Sequence, residues 1–252
     1  MKTSANTPWT DAELGDSVDA YVFMLRAQAA GLIFRGEAVA AGMLEEGLAD
    51  RNEASLRYRL RNISAVVQEM GGPVLEGYSP AEQVGSGVRQ RIRALLLAHP
   101  YFNRVADTRL AAGVRISEGA SDPRTVALDA LAELRRQIDD IERDLFGIGH
   151  NKPPEPISPV PLRRAAFDEA REDITALELE MGKPQVNPQV VAARSEKLLQ
   201  FGVKILMWVG QRTTKFVDAA LIALAPAVVV KVTGLLPLLI EALSAVERVA
   251  RY

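Results

Sequence analysis

Cysteine is absent from the 252 residues, which excludes disulfides, thiolate metal sites and cysteine nucleophiles. Histidine is nearly absent: His99 and His150 are the only two, and nothing local joins them as paired ligands. An excess of one charge is missing as well. Thirty basic and 32 acidic side chains leave a net charge of −2, so no overall basic field draws the chain toward nucleic acid. Strand signals are scarce, since alternating runs are few and no Asn-Gly or Asp-Gly pair offers a hairpin turn. No Gly-x-Ser-x-Gly, His-Glu-x-x-His or P-loop pattern occurs. These absences argue against an enzyme: no catalytic residue, metal ligand or cofactor is expected. The polar start "MKTSANTPWTDAELGDS" lacks the basic-then-apolar pattern of a signal peptide, so a cytoplasmic location is the expectation.

Alanine, leucine, arginine and glutamate dominate instead, and apolar positions recur at three and four, the period of helices. The expected fold is mainly α. It comprises a helix-turn-helix-like module over 8–121, a helical hairpin over 122–182 and apolar C-terminal helices over 189–252. Thr10 and Glu13 have the spacing of a capping box, and Leu14, Val18, Tyr21, Val22 and Leu25 follow as one stripe. A second helix should end near Leu48, and a third should run from about Glu53 to Met70, closed by Gly71 and Gly72. Arg89 to Ala98 reads as a short fourth helix ended by Pro100.

Two later helices share a 3-4-3-4 seam: Leu131, Leu134, Ile138, Ile141 and Leu145, then Phe167, Ala170, Ile174, Leu177 and Met181. Between them lies "DLFGIGHNKPPEP". Its glycines could leave backbone amides free for an anion, but a phosphate fingerprint needs a strand before them and a helix after. Here a helix precedes and prolines follow. Residues 147–162 are therefore read as a stiff hinge, with His150 inside it. Similar short Gly-His-Asn-x-Pro-Pro stretches occur in otherwise different bacterial proteins, and that likeness implies no activity.

The stretch "ASLRYRLRNISAVVQEMGG" (54–72) places Leu56, Leu60, Ile63 and Val67 on one face and Arg57, Arg61 and Ser64 beside it, with Arg59 further round. "RQRIR" adds Arg89, Arg91 and Arg93. Residues 51–118 carry ten basic and six acidic side chains, against three and eight in residues 1–50. Such a module could use Arg57, Arg59, Arg61, Asn62, Arg89, Arg91 and Arg93 on phosphates or base edges, making DNA one candidate partner. The alternative is a solvated face with arginines paired to glutamates. Arg57, Arg61 and Asn62 are the leading candidates.

"WTDAEL" (9–14), "AYVFML" (20–25), "RNISAVVQEMG" (61–71) and "GYSP" (77–80) resemble the N-terminal helical domain found on some bacterial HNH-type endonucleases and restriction-like proteins. The resemblance covers residues 8–100, and "FRGEAVAAGMLEEGL" within it is more acidic and alanine-rich than that domain. No HNH motif follows, so nuclease activity is not implied. What the resemblance implies is an accessory, DNA-sensing domain in a bacterial or mobile-element defence setting.

Residues 219–240, "AALIALAPAVVVKVTGLLPLLI", hold 17 apolar residues among 22. That length meets the roughly 20 residues needed to cross a bilayer core. Lys231 would cost about 2.5–3.5 kcal/mol there, against about −0.3 to −0.6 kcal/mol for each large aliphatic residue. Upstream, Lys204, Trp208, Arg212 and Lys215 have the composition of an interfacial flank, and residues 194–231 hold six basic and two acidic side chains. Two readings stay open. In one, residues 198–240 anchor to or disrupt the inner membrane, with the basic flank in the cytoplasm. In the other, Pro226 and Pro237 split the block, and its apolar helices form a bundle core or a homo-oligomer interface.

The one dense carboxylate cluster, Asp139, Asp140, Glu142 and Asp144, alternates with Arg135, Arg136 and Arg143 and reads as a paired, solvated face. The overall expectation is a non-enzymatic bacterial sensor or regulator. Its N-terminal module would bind nucleic acid or a protein partner, and its C-terminal helices would oligomerise or touch membrane. A membrane-active effector and a structural assembly protein are the alternatives.

Overall fold

The computed structural model describes residues 8–99, 102, 122–146, 164–215 and 225–251; the side chains of 145–146, 211–215, 225–230 and 232–233 are outside that description. Among the described residues there are eight helices and no strand. They are α1 (Asp11–Ala29), α2 (Gly36–Glu46), α3 (Glu53–Glu69), α4 (Ser86–Ala98), α5 (Pro123–Phe146), α6 (Arg164–Met181), α7 (Pro188–Lys215) and α8 (Ala225–Ala250). The hinge expected at 147–162, with His150, lies outside the described residues except as the gap between α5 and α6.

Local chemistry sets the helix ends. The Thr10 hydroxyl accepts the Glu13 amide at 3.2 Å while Glu13 accepts the Thr10 amide at 2.8 Å, closing a capping box at α1. Asn52 caps α3 through the Ser55 amide at 2.8 Å. At its other end Gly71 adopts φ 77°, a left-handed turn, and the Gly72 amide reaches back to the Val67 carbonyl at 2.9 Å.

The long α7 is the spine. It touches α1 and α2 on one side and α6 and α8 on the other, while α5 lies along α8 and pairs with α6. Two glycines allow the close crossings. A Cβ at Gly42 would come within 3.0 Å of the Gln200 carbonyl oxygen, and one at Gly202 within 2.8 Å of the Phe23 ring. α3 and α4 form an outer layer against α1.

Both predicted seams are buried over their described side chains: Leu131, Leu134, Ile138 and Ile141 on α5, and Phe167 to Met181 on α6. One continuous apolar cluster runs from Leu14 of α1 to Val249 of α8, so the three segments expected from sequence share a core.

The C-terminal apolar block differs from expectation. Pro237 does not break it: α8 continues through Pro237, which sits on an exposed position, and Pro226 lies in the first turn, where no amide hydrogen is required. Leu235, Leu239, Ala242, Leu243 and Val246 are buried inside the chain. Among the described residues no helix is long and apolar enough to cross a membrane. Lys231, the charge in the middle of the block, pairs with Asp144 of α5, and its carbonyl accepts from Gln137 at 3.2 Å. Residues 219–224 of the block are outside the described residues.

Polar locks fix the register. Arg171 of α6 binds Asp139 at 2.7 Å and Asp168 at 2.8 Å, and it also contacts Glu142. Arg135 reaches Glu178 at 2.7 Å and Thr175 at 2.9 Å. The acidic face of α5 is therefore paired largely across helices, whereas the sequence suggested pairing within its own face. Asp140 stays local with Arg143 at 2.8 Å, as does Glu133 with Arg136 at 2.6 Å. At the chain end, Glu247 accepts the Ile33 amide at 3.0 Å, and Arg251 donates to the Gly31 carbonyl and pins α8 to the α1–α2 loop.

Candidate functional site

The arginines predicted to face nucleic acid point in three directions. Arg57, exposed on α3, pairs with Glu37 of α2 at 2.8 Å. Arg61 donates to the Ser79 carbonyl at 2.9 Å, and its own carbonyl accepts the Ala81 amide at 3.1 Å, fastening the 77–81 turn to α3. Arg89 lies 3.4 Å from Glu69, and Arg93 is exposed. Ser64, expected beside the arginines, is buried and bonds the Tyr21 hydroxyl at 3.0 Å. That hydroxyl also accepts the Leu75 amide at 3.0 Å.

Arg59 and Arg91 turn toward the start of α1, where they meet Arg51. Arg91 donates to Asp11 at 2.6 Å and to the Trp9 carbonyl at 3.2 Å. Arg51 grips Glu13 with two bonds of 2.8 Å and donates to the Pro8 carbonyl at 3.0 Å. Arg51 and Arg59 both lie over the Trp9 indole, 4.8 and 4.6 Å from the ring centroid. Arg59 is only 7% exposed, and its Nε and Nη1 are enclosed without a hydrogen-bond partner. Burial holds its pKa below the usual arginine value, and the positive charges of Arg91 and Arg51 push in the same direction. An unpaired buried ion costs several kcal/mol, of which a desolvated cation–π contact offsets about 2 kcal/mol. Asn62, one turn along, is 4% exposed with Oδ1 unpartnered. The sequence reading named Arg59, Arg91 and Asn62 as surface groups. It missed Arg51 and Trp9, which reach this cluster from loops distant in sequence.

A half-open cleft of about 600 Å³ separates α2 from the start of α3. Ala38, Ala41, Leu44 and Leu56 supply apolar surface, Tyr78 backs it, and Arg35, Glu37, Glu53 and Arg57 rim it. Gly36 permits the backing: a Cβ there would approach the Tyr78 ring to 2.8 Å. Burial, and then the charge of Glu37, hold the Tyr78 phenol up at about 12, so it remains a neutral donor at physiological pH. Arg35 is itself engaged by Glu196 of α7 at 2.6 Å.

The residues read as a membrane flank lie elsewhere on α7. Lys204 is largely buried and pairs with Glu45 of α2 at 2.6 Å, and Trp208 packs against the core. The side chains of Arg212 and Lys215 lie outside the described residues. Among the described residues no group of three His, Asp or Glu side chains is spaced to hold a metal ion. No family model, curated protein or solved structure matches the chain.

Proposed function

We propose that the chain is a non-catalytic regulator whose N-terminal layer holds a segment of a protein partner in the α2–α3 cleft. The carrying observation is the cleft itself, about 600 Å³ in volume with an apolar floor and a rim of both charge signs. That volume falls within the roughly 300–1,000 Å³ of typical ligand sites. A floor of alanine and leucine takes an apolar side chain, and a rim of two arginines and two glutamates takes the mixed charges of a peptide. A polyanion suits it less. Arg35 and Arg57 are already bonded to glutamates, and Glu53 would face the phosphates. The likeness of residues 8–100 to an accessory domain of bacterial defence proteins is consistent with a sensing role and adds no activity to it.

The test is co-purification of the full chain from cells that express it, wild type against Ala41→Trp. A partner kept by wild type and released by the variant, with helicity unchanged by circular dichroism, supports the reading. Identical sets of co-purifying proteins contradict it.

A further inference from the structure

A second site is marked by a buried guanidinium whose Nε and Nη1 have no hydrogen-bond partner among the described residues. Three guanidinium groups, those of Arg51, Arg59 and Arg91, gather around Trp9. Glu13 binds Arg51, which also feels the charge of Asp50, and Asp11 binds Arg91. Among the described residues Arg59, at 7% exposure, has no carboxylate bonded to it. Its Nε and Nη1 donors are enclosed, and no described residue accepts from them.

We infer that Arg59, lying over Trp9 beside Arg51 and Arg91, is the receptor for one oxyanion, a phosphate or a carboxylate group. Three features support this. The guanidinium lies over the indole, 4.6 Å from the ring centroid, and is 7% exposed, so its place is set before the ligand arrives, and that cuts the ordering cost of binding. The site is enclosed, so a charge-assisted hydrogen bond there is stronger than one in water. The positive neighbours that disfavour the Arg59 charge are relieved by an incoming anion.

This site shares no lining residue with the α2–α3 cleft, so the two readings fail independently.

The experiment follows the two indole N–H resonances of the ¹⁵N-labelled full chain, Trp9 and Trp208, assigned with Trp208→Phe. Inorganic phosphate and acetate are titrated separately against sodium chloride at equal ionic strength. The expected result is a saturable shift of Trp9 with Trp208 unmoved, and a rise in Tm of roughly 2–6 °C at saturating anion. Response to phosphate alone identifies a phosphate group as the ligand; response to acetate identifies a carboxylate. Arg59→Met is expected to abolish both effects. Arg59→Lys, which keeps the charge without the plane, is expected to weaken binding about tenfold. The proposal is overturned if neither anion moves Trp9 or Tm beyond chloride, or if Arg59→Met responds as wild type does.

Discussion

Arg171 and Arg59 occupy comparable positions, each on a helix packed against its neighbours, and their surroundings are opposite. Arg171, in the α5–α6 pair, has three carboxylates within reach on two helices. Arg59, in the α1–α3 layer, is more buried and has no carboxylate bonded to it among the described residues. The contrast extends to both regions. In the C-terminal half, Arg135, Arg194, Lys231 and Lys183 each meet a carboxylate, three of them across helices. In the N-terminal layer Arg51 and Arg91 meet carboxylates, but Arg61 is committed to a backbone carbonyl, Arg57 to a weak surface pair, and Arg59 to an indole face. A region in which each of these charges is answered within the fold is built to hold shape. A region with a cleft and an unanswered cation retains capacity to bind.

If the two regions share one core, a cavity in one must weaken both. Leu243→Ala on α8 should cost about 2–5 kcal/mol. In urea, the fluorescence of Trp9 and of Trp208 should shift to the same lower midpoint, and two separated midpoints would show independent domains. Arg171→Met comes next. It strands Asp139, Glu142 and Asp168 together and should destabilise the protein by about 1–3 kcal/mol, measured by the same unfolding curves.

The third test uses pH. At Glu13 burial raises the pKa, but the bonds from Arg51 and Thr10 outweigh it and hold the carboxyl below its usual value. A carboxylate whose folded pKa is depressed stabilises the protein above its unfolded value, about 4.3, and loses that contribution as pH falls through the folded value. Wild type should therefore lose more stability than Glu13→Gln between about pH 5 and pH 3, and parallel curves would break the prediction. The smallest effect belongs to Arg57→Ala. Its exposed pair with Glu37 contributes about 0–1 kcal/mol, so Tm should barely move.

Much of this fold is legible in the residues. The capping box at Thr10 and Glu13, the glycines after α3 and the seams of α5 and α6 are local or periodic signals, and the structure keeps them. Charge placement is less legible. Helical spacing puts Arg59 beside a polar face, but only the arrival of Trp9, 50 residues earlier in the chain, turns it inward. Composition likewise makes Lys231 an obstacle within an apolar run, whereas Asp144, 87 residues away, makes it a register pin. The cleft joins Gly36 and Ala41 of α2 to Leu56 of α3 and Tyr78 beyond it, and no single segment announces it.

The most direct test of the contrast is the thermal stability of Arg59→Met beside wild type in buffer free of phosphate and carboxylate. Replacing an unpaired buried cation with an apolar side chain of similar length removes a desolvation cost and keeps contact with the indole. The account predicts a Tm equal to or above wild type, while Arg171→Met falls below it. A drop for Arg59→Met matching that of Arg171→Met would mean that Arg59 is a structural element of the fold, and the contrast between the two regions would not stand.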